Sequence, residues 1–77
     1  MIHTAEIESS NLRSPLEWDD ALGALTVLFR GGARWEYWGV TQAEFDAVAH
    51  PGEIDDFSSG RAFARLIKGQ KQARKLA

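Results

Sequence analysis

The run ALTVLFRGGARWEYW, residues 24–38, constrains this chain more than any other stretch. Two segments rich in β-branched and aromatic residues flank adjacent glycines, the pattern of a β-hairpin. Its register follows from which side chains must share a face. A two-residue Gly31–Gly32 turn would pair Phe29 with Arg34 and Val27 with Glu36, setting charge beside apolar residues. A three-residue loop with Gly32 left-handed, forming a bulge, pairs Phe29 with Ala33, Val27 with Trp35 and Leu25 with Tyr37. Leu25, Val27, Phe29, Ala33, Trp35 and Tyr37 then line one face, and Thr26, Leu28, Arg30, Arg34, Glu36 and Trp38 the other. A one-residue slip would invert every side chain, so the bulged register is the expected one.

Around this hairpin the local signals are shorter. SNLRSPLEW (10–18) reads as a first strand, with Pro15 restricting it to a sheet edge or a bulge. Asp19, Asp20 and Gly23 bracket the next turn. TQAE (41–44) is a capping box that opens a helix over about 42–50, stopped by Pro51–Gly52. Ser58–Ser59 cap a second helix over about 59–68, where Phe63, Leu66 and Ile67 form an apolar stripe and Gly69 ends or bends the chain. The predicted fold is α+β: a three-stranded antiparallel meander (12–18, 24–30, 33–39) packed against two short helices. Residues 1–8 are expected to be a lead-in or edge segment, and 70–77 a basic tail, helical or frayed.

Size sets how that unit must be held together. At 77 residues the chain forms one domain and buries only about 60–65% of its unfolded surface. With no cysteine there is no disulfide or thiolate metal site to reinforce it. Its four Phe, three Trp and one Tyr must therefore supply much of the core. No apolar run reaches the roughly 20 residues of a membrane span, which with the absence of cysteine points to a cytoplasmic protein.

The net charge of −2 conceals a strong polarity. Residues 1–56 hold all eleven Asp and Glu against three Arg, a net −8, while residues 57–77 hold six Lys and Arg and no acid, a net +6.

Together SSNL (9–12), LTVLFRGG (25–32), WEYWGV (35–40) and GRAFARLIKG (60–69) resemble the KTSC domain, a small module found alone or at the C-terminus of some lysyl-tRNA synthetases. The resemblance spans roughly residues 9–70 and implies the fold first, and nucleic-acid binding second. The chain departs from the family pattern at three places: Glu36 stands where a basic residue is usual between the hairpin aromatics, Phe63-Ala64 where Phe-Asn is usual, and QKQARKLA replaces a tyrosine-rich ending.

Chemistry is sparse. His3 and His50 lack companion ligands at useful spacing, the serines fit caps and turns, and Gly31–Gly32 lies between strands rather than before a helix. No metal, cofactor or catalytic residue is expected. Two charged surfaces remain as candidates. The acidic one comprises Glu17, Asp19, Asp20, Glu36, Glu44, Asp46, Glu53, Asp55 and Asp56, with Trp38 as an outward aromatic anchor. It suggests a non-catalytic, monomeric inhibitor that docks on the basic nucleic-acid-binding surface of a partner, such as a CRISPR effector, as small anti-CRISPR-type DNA mimics of phage or mobile elements do. The alternative is an RNA- or DNA-binding module using Arg61, Arg65, Lys68, Lys71, Arg74 and Lys75. These same cations could instead pair with the chain's own acids, Asp55 and Asp56 being nearest.

Overall fold

A computed structural model describes residues 1–76. Five antiparallel strands follow one another in spatial order: β1 (Ile2–Ala5), β2 (Leu12–Asp19), β3 (Ala24–Phe29), β4 (Arg34–Tyr37) and β5 (Ala73–Lys75). Helices α1 (Gln42–Ala49) and α2 (Ser59–Leu66), with a 3-10 turn at Glu53–Asp55 between them, cover one face of the sheet. Among the described residues no helix is long and apolar enough to cross a membrane.

The hairpin adopts the bulged register. Leu25 pairs with Tyr37 and Val27 with Trp35, and the Phe29 amide donates to the Ala33 carbonyl at 2.8 Å. Gly32 (φ +98°) is left-handed as the loop requires, and so is Gly31 (φ +102°), a conformation that favours residues without a Cβ. At Pro15 the β2–β3 register shifts between Arg13 and Glu17, so this proline sits at a bulge inside the sheet rather than on an edge.

The expected α+β class with two helices holds, but the sheet has five strands, not three. The lead-in forms β1, pairing His3 with Trp18 and Ala5 with Leu16. Alternation in IHTA is too weak to announce a strand, yet it turns His3 and Ala5 toward the core face. The tail forms β5. QKQARK is rich in helix formers, but Gly69 (φ +80°) turns the chain after α2 and the edge of β4 supplies backbone partners. Trp38 donates its amide to the Gln72 carbonyl at 2.9 Å, and Leu76 donates to the Arg34 carbonyl at 2.7 Å. Ladder bonds override local propensity here. Ala77, the last residue of the expected tail, lies outside the described residues.

The core lies between the sheet and the helices. Leu16, Leu25, Val27, Val48 and Ile67 are fully buried, each stabilising the fold by roughly 1.5–3 kcal/mol. Trp18 stacks on Phe45 with ring centroids 5.3 Å apart and donates its indole N–H to the Val40 carbonyl at 3.0 Å. Phe63 of α2 meets Tyr37 edge-on at 5.2 Å and Phe29 at 5.7 Å. The caps form as expected: Thr41 and Glu44 complete a capping box, and Ser58 Oγ accepts from the Arg61 amide.

Candidate functional site

The polarity of the sequence largely cancels in space. The C-terminal segment folds back on the acidic body, and four of its six cations meet carboxylates: Arg61–Asp56 (3.6 Å), Arg65–Asp55 (2.8 Å), Lys71–Glu44 (3.0 Å) and Arg74–Glu36 (3.4 Å).

These pairs are parts of the architecture. Asp55 is 4% exposed and receives Arg65 Nε and Nη2 in a two-pronged contact at 2.8 and 2.9 Å. The hydrogen bond from Arg65 holds the Asp55 carboxyl below its ordinary range and raises the guanidinium. At Glu44 burial pushes the carboxyl up, but the Thr41 amide and the Lys71 ammonium outweigh it and leave it lowered. Glu36 Oε1 accepts from the Trp38 indole N–H at 2.9 Å and from Arg74 at 3.4 Å, while the Arg74 guanidinium lies over the Trp38 ring at 5.9 Å. The glutamate among the aromatics thus joins β4 to β5.

The acidic candidates divide into two groups. Glu17, Asp19 and Glu36 line one shallow depression on the uncovered face of the sheet, together with Ile2, Leu22, Ala24 and Thr26. Trp38 follows Glu36 on that face and is 37% exposed. Asp20, in the adjoining turn, takes the N-terminal ammonium at 2.9 Å and His3 Nε2 at 2.8 Å, and the His3 contact is the main cause of its lowered pKa. Glu44, Asp46, Glu53, Asp55 and Asp56 belong to α1 and the 3-10 turn with its flank, away from the sheet depression. Asp46 and Glu53 are exposed, and Asp55 is inaccessible to a partner.

The basic candidates regroup as well. Five cations have no carboxylate partner among the described residues: Arg13, Arg30, Arg34, Lys68 and Lys75. Only Lys68 and Lys75 come from the C-terminal set. All five lie toward the end of the sheet where the Gly31–Gly32 turn sits, Arg13 and Arg34 on its uncovered face and Lys68 and Lys75 on the helix side. Arg13 and Arg34 flank Leu28 across three adjacent strands, and Lys75 pairs with Trp35 on the next. Arg30 donates its backbone amide to Asn11 and its guanidinium to the Ser9 carbonyl, joining the turn to the SSN loop. That loop is folded on itself, because Ser9 Oγ accepts from the amides of Asn11 and Leu12. Helix α2 rests against it at Gly60, where a Cβ would come within 3.3 Å of Ser9 Oγ.

Between α2 and the sheet at this end is a cleft of about 310 Å³. Leu12, Phe29, Phe63 and Ala64 give it an apolar lining, and Asn11, Arg30 and Lys68 supply its polar groups. No acidic residue lines it. A second depression, sharing Leu12 and Arg30, carries Arg13 and Ser14 alongside Glu8. Sequence alone gives Arg13, Arg30 and Arg34 no role beyond opposing the acids. Strand alternation combined with the bulged register is the signal that could have found them, since it sets 13, 28 and 34 in one cross-strand row. Among the described residues no three His, Asp or Glu side chains are grouped so as to hold a metal ion.

No family model and no curated protein matches the sequence. The crystal structure of a KTSC domain protein from Yersinia pestis superimposes over 100% of both chains with a TM-score of 0.78 at 24% sequence identity. The fold is therefore KTSC-like.

Proposed function

We propose that this protein is a non-catalytic binding module whose hairpin end holds the phosphate chain of a nucleic acid. One observation carries the reading: the cations left without carboxylate partners gather at that end, Arg13, Arg34 and Lys75 on strands β2, β4 and β5, Arg30 in the hairpin turn and Lys68 just past α2. Unpaired Arg and Lys can neutralise phosphates at little cost, whereas Arg65 would first have to abandon a desolvated carboxylate. The site is thus the hairpin end rather than the C-terminal helix. Fluorescence anisotropy with labelled single- and double-stranded DNA and RNA tests it. Micromolar binding that weakens steeply between about 50 and about 200 mM salt is expected. No salt-sensitive binding to any of the four would sink the reading.

A second reading draws on the opposite end. Glu17, Asp19 and Glu36 share one depression beside the exposed Ile2, Leu22 and Trp38, a combination suited to docking on a basic protein surface. It is the acidic-inhibitor reading reduced to the residues that converge. Loss of capture of a nucleic-acid-binding protein on neutralising Glu17 and Asp19, with no nucleic-acid binding by the module itself, would favour it.

A further inference from the structure

A surface that only neutralises phosphates needs no cavity, yet the hairpin end has one. We infer that the cleft between α2 and the sheet accepts a single unstacked nucleotide, so that the module prefers single strands to duplexes. This rests on the phosphate-binding reading and adds a specificity to it.

The cleft combines two kinds of lining. Half-buried Phe29 and exposed Ala64 give the cleft its accessible apolar surface, over the buried Leu12 and the edge-on Phe63. An inorganic anion alone would gain nothing from such a surface, whereas the face of a nucleobase would. Arg30 and Lys68 stand in the same cleft with no acid among its lining residues, which suits the phosphate attached to that base. Asn11 is exposed, and its side-chain amide makes no hydrogen bond among the described residues. An amide offers both a donor and an acceptor, matching the edge of a base that pairing has not already occupied. The volume, about 310 Å³, lies at the small-ligand end of binding cavities and suits one nucleotide. In a duplex the bases are stacked and paired, and their rings could not enter.

Gly60 contributes to the shape. It lines the cleft and packs against the SSN loop, where a Cβ would come within 3.3 Å of Ser9 Oγ, tight enough that the hydroxyl would have to give slightly. The loop that carries the amide is therefore positioned by the helix that forms the opposite wall.

The test measures anisotropy of a short labelled single strand and of the duplex of the same sequence, with the full chain at low salt. The expected result is single-strand affinity on the order of tenfold or more above the duplex, the range one base–aromatic contact supplies. Ala64→Leu, which fills the cleft from an exposed helix position, should remove that preference, and Arg61→Gln, outside the cleft, should preserve it. A nucleoside monophosphate should displace the single strand from the unaltered protein, whereas the nucleoside or inorganic phosphate alone, at the same concentration, should not. Equal affinity for both forms, a preference that survives Ala64→Leu in a folded variant, or failure of the monophosphate to compete would overturn the inference while leaving salt-dependent phosphate binding intact. Absence of binding to either form would remove both.

Discussion

The C-terminal segment and the hairpin end of the sheet both present basic side chains, and they use them in opposite ways. In the C-terminal segment Arg61, Arg65, Lys71 and Arg74 each face a carboxylate, so a stretch that reads as +6 serves mostly to attach itself to an acidic body. At the hairpin end three arginines scattered through an acidic half of the chain, with Lys68 and Lys75, have no carboxylate partners among the described residues. Density of charge along a sequence thus says little about its availability. Topology decides which cations remain for a ligand.

Neutralising each set of cations in turn separates the two roles. Replacing Arg13, Arg30 and Lys68 with Gln should weaken single-strand binding on the order of 100-fold at low salt. It should also flatten the salt dependence by about 0.7 for each phosphate that is no longer neutralised. Replacing Arg61, Lys71 and Arg74 with Gln should change affinity by less than about threefold. The reverse ranking in anisotropy titrations would restore the C-terminal helix and tail as the binding element.

Stability should show the opposite dependence. Arg65→Leu leaves the Asp55 carboxylate buried without a partner, and it should lower the melting temperature more than any single substitution at Arg13, Arg30 or Lys68. Adding Asp55→Leu to Arg65→Leu should recover much of that loss. An Arg65→Leu protein that melts like the parent would show that the pair is dispensable.

Acid should act through the paired carboxylates, including Asp20 with its N-terminal ammonium and His3. The Asp55, Glu44 and Asp20 carboxyls have lowered pKa values in the folded state, so their contribution is fully present above the ordinary carboxylate range. It is lost as pH falls below about 4 and approaches the folded values. Melting temperature followed against pH should therefore drop on the acid side, and the drop should be shallower in Asp55→Asn. An identical acid limb in that variant would remove Asp55 from the explanation.

The smallest expected effect is at the β4–β5 edge. Glu36→Gln weakens the contact with Arg74 and should cost about 0.5 kcal/mol, as exposed ion pairs do. Hydrogen exchange of the Trp38 and Leu76 amides, which bond across to β5 and β4, should quicken more than that of the Phe29 amide in the hairpin.

Much of the architecture was legible because it rests on local rules. The bulged hairpin follows from keeping Leu25, Val27 and Phe29 on the side of Trp35 and Tyr37, and both helix starts follow from Thr41 and Ser58. The outer strands were hidden because neither has a strong pattern of its own. IHTA alternates weakly, QKQARK favours a helix, and each becomes a strand only because a neighbour offers an open edge. The candidate site was harder still. The acidic set divides because a helix and a sheet face carry its members apart, and Asp55 is consumed by Arg65 only ten residues away. Arg13 and Arg34 gain their meaning from a row that crosses three strands through Leu28, and Arg30 from the turn's contact with the SSN loop, relations that no linear count of charge contains.

Mapping amide chemical shifts during titration with a short single-stranded oligonucleotide reports which end of the molecule the ligand touches. Perturbations are expected at Ser9–Arg13, Phe29–Arg34, Gly60, Phe63, Ala64, Lys68 and Lys75, with Glu17–Leu22 and Arg61 unmoved. Shifts centred on Glu17, Asp19 and Trp38, or no shifts at saturating oligonucleotide, would contradict binding at the hairpin end.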